Sequence, residues 1–156
     1  MREAHEEAGL RCDPEQLAWI SNWLPPPIAP VRFATWFFVA PAPEGAVTID
    51  MGEIHDSAWM RPADALARRD ALEVELAPPT WMTLHYLSEF DSTDALMADA
   101  QAREPGFYET HMGKGESGLC AMWPGDAGYE SSDADAPGPR YRLWMHQDGW
   151  RFERSD

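Results

Sequence analysis

The sequence predicts an α+β fold, and three observations predict it. Two runs rich in aromatic and β-branched residues, Leu17 to Leu24 and Val31 to Ala40, read as strands. Two stretches open on proline and continue in helical pattern, Pro62 to Leu72 and Pro78-Pro79 into Thr80 to Phe90. From Glu104 onward, glycine and proline punctuate short β candidates. Residues 1–103 are therefore expected to form the main part and residues 104–156 a small β-rich C-terminal extension.

Each element has a local reason. Arg2 to Ala8 is an acidic helical turn, and Gly9 stands where a helix C-terminus is followed by a left-handed residue. Asp13-Pro14 turns the chain into the strand at Leu17 to Leu24. Pro25-Pro26-Pro27 and Pro30 then force an extended loop, because proline has no ladder donor. The next strand is nearly continuous in apolar character from Phe33 on, the pattern of a central strand covered on both faces. Ala46 to Asp50 is a short strand or sheet edge. The helix from Thr80 to Phe90 carries one apolar stripe of Trp81, Leu84, Leu87 and Phe90. Asp91 to Asp94 caps a short amphipathic helix over Ala95 to Ala102. In the extension, β candidates fall at 119–123, 140–146 and 150–154, the last two joined as a hairpin through Gln147-Asp148-Gly149. Gly113-Lys114-Gly115-Glu116-Ser117 lacks the spacing of a phosphate loop and reads as a mobile glycine loop. Glu130 to Asp135 reads as a solvated acidic loop, and His111 and His146 as structural or surface residues.

Charge and composition exclude several classes of function. With 27 Asp and Glu against 12 Lys and Arg, the formal charge is −15, the wrong sign for a surface that grips duplex nucleic acid. A phosphate substrate would need cations to mediate its binding. Cys12 and Cys120 are far apart and have no C-x-x-C partner, which argues against a zinc knuckle or a disulfide scaffold. No apolar run reaches the length of a membrane span, and no signal peptide is legible. A cytoplasmic protein is expected.

The chemistry concentrates at the N-terminus. Residues three and four apart share a helix face, so Glu3, Glu6 and Glu7 converge while Arg2 can turn back toward Glu6. Three carboxylates without Cys or paired His suit a hard cation, Mg²⁺ or Mn²⁺, better than zinc. The placement is also locally unfavourable. The negative end of the helix dipole disfavours glutamates beside Gly9 by about 0.3–1 kcal/mol each, and local rules are most often broken at functional sites.

The run Arg2-Glu3-Ala4-His5-Glu6-Glu7-Ala8-Gly9-Leu10 resembles the second half of the Nudix box, G-x5-E-x7-R-E-U-x-E-E-x-G-U, with U aliphatic. Arg2, Glu3, Glu6, Glu7, Gly9 and Leu10 match it, and Ala4 is a small substitute at the first U. The first half, with its glycine and first glutamate, would lie before Met1, so the chain is expected to start inside the box. A second similarity follows in order: Glu53, Trp59 and Pro62 fit the family's E-x5-W-x-x-P segment ahead of a helix. Pro78-Pro79-Thr80 and the strand residues Arg32, Phe33, Thr35, Phe37 and Phe38 are similar to the acyl-coenzyme A diphosphatase-like subgroup.

This resemblance implies an α/β/α sandwich around a mixed sheet, here lacking its N-terminal strands. It implies a metal-dependent hydrolase of a diphosphate linkage, acting on a nucleoside diphosphate derivative or a coenzyme A ester. Glu6 and Glu7 would be the first metal ligands, and Glu3 a further ligand or base. Arg2 would orient the glutamates, and Glu53, or more weakly His55 or Asp56, would be a catalytic carboxylate or its neighbour. The alternative is a catalytically inactive, truncated Nudix-like remnant that binds a ligand or protein. In either case an exposed sheet edge and several of the eight tryptophans are expected to favour self-association.

Overall fold

The computed structural model describes residues 2–43, 47–48 and 57–155. Helix α1 (Arg2–Ala8) is followed by a 3-10 turn at Pro14–Gln16, which opens where the Asp13 carboxylate accepts from the Glu15 amide at 3.0 Å. Strands β1 (Ala18–Leu24) and β2 (Thr35–Val39) come next, then α2 (Pro62–Asp70), α3 (Pro78–Ser88) and α4 (Thr93–Ala102). Prolines start α2 and α3, and the Ser92 hydroxyl caps α4 by accepting from the Ala95 amide. Strands β3 (Gly106–Glu109), β4 (His111–Gly115), β5 (Gly118–Met122), β6 (Tyr141–His146) and β7 (Gly149–Arg154) complete the chain.

The fold is α+β, with two sheets. The first is mixed and three-stranded in the order β2-β1-β3: β2 lies antiparallel to β1, and β3 parallel to it. The second is antiparallel, β4-β5-β6-β7. One core crosses both, made of Trp23 from the first sheet, Trp81 and Met82 from α3, and Ala121, Trp123 and Leu143 from the second. Its geometry is aromatic. Trp23 stacks on Tyr108 at 3.9 Å between centroids and meets Trp123 edge-on at 5.7 Å. A second cluster, Ala18 and Ile20 under Met97 and Ala100, seats α4 on β1. No helix among the described residues is long and apolar enough to cross a membrane.

Three expectations need correction. The strand at 31–40 shrinks to Thr35–Val39 and is an edge strand rather than a central one. Its unbroken apolar run misled, because Phe37 and Val39 join the core while Trp36 and Phe38 point outward, 59% and 53% exposed. The stripe on α3 is not the buried one: Trp81 and Met82 are buried, whereas Leu84, Leu87 and Phe90 are half-buried. This helix is gripped from several sides, by α2, by Trp150 of β7 and, through Tyr86, by the cluster beneath α4, so no single face dominates. Gly113 to Gly115 is strand, not mobile loop. A side chain at Gly113 would strike Met122, so the glycine lets β4 lie close over the core. Residues 130–135 form the exposed acidic loop expected, with Ala134 alone buried, and the loop is held against β4. Lys114 donates its amide to Ser132 and accepts from that of Ala134, which is buried. The short strand expected at Ala46 to Asp50 lies largely outside the described residues; Val47 and Thr48 are not strand.

The two cysteines differ sharply in setting. Cys120 is fully buried, and burial pushes its thiol up to about 11, whereas Cys12 is half-buried. The thiolate is the reactive form. A thiol reagent at neutral pH is therefore expected to modify Cys12 in the native protein and Cys120 only after denaturation, as mass spectrometry of the labelled peptides will show.

Candidate functional site

The glutamate helix forms where the motif places it. Residues 2–8 are helical, so the backbone sets Glu3, Glu6 and Glu7 on one face at spacings of three and four. Glu6 is exposed. The side chains of Arg2, Glu3 and Glu7 lie outside the described residues, as do Glu53, His55 and Asp56 altogether. Trp59 is exposed, and Pro62 opens α2. Among the described residues no three or more His, Cys, Asp or Glu side chains gather as a metal-binding group.

The end of α1 is well defined. Gly9 adopts φ 69°, the left-handed region that side chains avoid, and the chain folds back through Gly9 N–H to His5 O at 3.1 Å and Leu10 N–H to Ala4 O at 3.0 Å. A distant segment closes on this end. The Thr48 amide donates to Ala8 O at 3.0 Å, and a Cβ placed on Gly9 would lie 3.3 Å from the Thr48 Cβ. Thr48 stands five residues before Glu53 in the sequence. The glycine of the motif thus both ends the carboxylate helix and admits the stretch that leads to the second motif. Gly9→Ala is expected to weaken this docking by about 1–2 kcal/mol, since left-handed backbone costs that much for a residue with a Cβ. Hydrogen exchange at the Thr48 amide should speed up roughly tenfold or more.

Two cavities accompany the sheets. One, of about 420 Å³, is apolar and opens between Pro25-Pro26, Phe37, Pro78-Pro79 and Met112. The other, of about 110 Å³, is polar and aromatic, set between α3, β1 and the strands of the extension. Apart from the cavities, the second sheet holds a buried ion pair. Asp126, in the β5–β6 connection, accepts from Arg142 Nη2 at 2.5 Å and Nε at 2.7 Å, and both side chains are fully buried. Asp126 also accepts from the amides of Tyr141 and Gly128, each at 2.8 Å, and Arg142 donates to Ala134 O. Burial would raise the Asp126 carboxyl; the hydrogen bonds from Arg142, Tyr141 and Gly128 overcome it and hold the group below the usual carboxylate range. The only sequence signal was a charged residue between Tyr141 and Leu143 in a strand with an apolar face. No family model, curated protein or solved structure matches the chain.

Proposed function

We propose that this chain carries the metal-binding half of a Nudix-type site and takes part in hydrolysis of a diphosphate linkage, with Mg²⁺ or Mn²⁺. The observation that supports it most is the seating of Thr48, five residues before Glu53 in the sequence, on the Gly9 end of α1. The donor set fits a hard cation, being carboxylate only and spaced on one face of a helix with Glu6 open to solvent. Glu6 and Glu7 are assigned as metal ligands, Glu3 as a further ligand or base, and Glu53 as a catalytic carboxylate.

The chemistry follows from charge. A bound cation would supply neutralisation of the diphosphate and a lowered pKa for a water. The residues of this chain would do the rest. Glu6 and Glu7 would hold the cation, Glu3 or Glu53 would accept the proton of the attacking water, and Arg2 would orient the glutamates by charge-assisted hydrogen bonds. The hydrocarbon-lined cavity beside Pro78-Pro79-Thr80 supports the coenzyme A ester among the substrates, since an acyl chain needs such a slot.

Product release from nucleoside diphosphate derivatives and acyl-coenzyme A, assayed with Mg²⁺ or Mn²⁺, tests the proposal. Glu6→Gln and Glu7→Gln are each expected to lower turnover about 100-fold or more, the scale on which lost electrostatic stabilisation acts. Turnover that survives both changes would sink the assigned site.

A second reading, a ligand- or protein-binding module without turnover, has its own observation. Trp19, Trp36, Phe38 and Phe107 are exposed on the first sheet, with Trp19 edge-on to Phe107 at 5.6 Å. Contiguous apolar surface of this kind marks an interaction face. Absence of turnover together with concentration-dependent association, abolished by Trp36→Ser and Phe38→Ser, would favour it.

A further inference from the structure

The polar cavity of about 110 Å³ gathers side chains from segments far apart in sequence: His85 and Tyr86 of α3, Arg103 at the end of α4, Tyr108 of β3, Tyr141 of β6 and Arg154 of β7. We propose that it is a binding site for a phosphate dianion, gripped by the guanidinium groups of Arg103 and Arg154 and by the phenol hydroxyls of Tyr108 and Tyr141. It uses no residue of α1 and does not depend on the hydrolase reading.

Charge is the first ground. In a chain of net charge −15, with only 12 Lys and Arg, two arginines line one small cavity. Among the described residues no carboxylate pairs with Arg154; its guanidinium lies over the Tyr141 ring at 5.0 Å. Arg103 lies over the Tyr86 ring at 4.5 Å, and its partner Asp99 is 3.7 Å away, beyond hydrogen-bond distance. The ring faces hold both planar groups in place; Arg103 also engages the Tyr86 hydroxyl, while the N–H edge of Arg154 is left to another partner, the arrangement in which arginine recognises phosphate. Among the described residues the one carboxylate on the lining, Glu89, faces His85 Nε2 at 3.9 Å.

The second ground is the set of neutral donors. Burial raises the Tyr141 phenol, Tyr108 beside it raises it further, and the charges of Arg154 and Arg103 both act on it in the opposite sense. Both arginines line the cavity that holds this phenol. Tyr141 keeps its proton at neutral pH, and its hydroxyl is paired with that of Tyr108, so the two phenols present one hydroxyl pair to the cavity. The Tyr86 hydroxyl is already committed, since it donates to Asp99 at 2.8 Å. Size is the third ground: the volume admits a phosphate group and is too small for a whole nucleotide.

Calorimetric titration of the full chain with inorganic phosphate tests the site, with sodium chloride at matched ionic strength as control. Saturable binding in the millimolar range or tighter is expected with phosphate and none with chloride. Arg154→Gln and Arg103→Gln should each weaken it tenfold or more, and Arg154→Lys should retain part of it. Arg154 is exposed at the end of an edge strand, so its replacement is expected to leave the melting temperature unchanged. A parallel titration with a nucleoside monophosphate separates the two sources of the group. Tighter binding than phosphate assigns the site to a nucleotide's phosphate end, and equal or weaker binding assigns it to free phosphate. An absence of saturable phosphate binding by the wild-type chain, or binding that Arg154→Gln and Arg103→Gln leave unchanged, would overturn the proposal.

Discussion

Replacing Asp126 by Ala is expected to destabilise the protein by about 3–5 kcal/mol, because it leaves the fully buried Arg142 guanidinium without its countercharge. More than one ion pair is lost. The amides of Tyr141 and Gly128 also lose their acceptor, so the β5–β6 connection loses the group that organises it. Urea denaturation at neutral pH measures the loss. The double change Asp126→Leu with Arg142→Met should cost less than Asp126→Ala alone, since no buried charge is then left unpaired. The pair also sets a pH dependence. The folded carboxyl titrates below its unfolded value, so its contribution is complete above the unfolded value of roughly 4 and is lost as pH falls through the folded one. Urea midpoints of the wild type should therefore fall with acid below about pH 4, and Asp126→Asn should flatten that slope.

Trp123→Ala is expected to cost about 3–5 kcal/mol, the range for emptying a buried aromatic site. Trp123 is 0% exposed and meets Trp23, Tyr108, Tyr141 and Phe152 by its ring, so it joins the two sheets. Its indole N–H donates to Thr110 Oγ1 at 3.2 Å. Trp123→Phe keeps most of the ring area and loses the hydrogen bond, so its cost should stay nearer 1–2 kcal/mol. Thermal unfolding separates the two: the alanine variant should melt on the order of 10 °C below the wild type, and the phenylalanine variant only a few degrees below it.

What the sequence made legible was what is local. Prolines announced α2 and α3, the capping run Asp91 to Asp94 announced α4, and Asp148-Gly149 announced the β6–β7 hairpin, because each acts within a turn or so of the backbone. Gly9 was legible for the same reason, since left-handed backbone after a helix is a single-residue requirement. Illegible were features that depend on distant partners. β3 escaped notice because Gly106 to Glu109 is four residues long and gains its ladder only from β1. The arginine and tyrosine cavity escaped because Tyr86, Arg103, Tyr108, Tyr141 and Arg154 form no motif in one dimension. The face of β2 was misread because periodicity cannot tell a strand buried on both sides from one whose outer aromatics meet solvent.

The parallel ladder of β1 and β3 has a consequence for the order in which the protein acquires its structure. Ser21 to Leu24 waits for Gly106 to Glu109, more than eighty residues later, before that side of the strand is occupied. Until a ribosome has delivered residue 109, Trp23 lacks the ring on which it stacks and β1 offers bare amides and carbonyls to any passing strand. Contacts of such separation form slowly. The interval during synthesis when the first half of the chain is finished and the second is not is therefore the period of greatest exposure to aggregation.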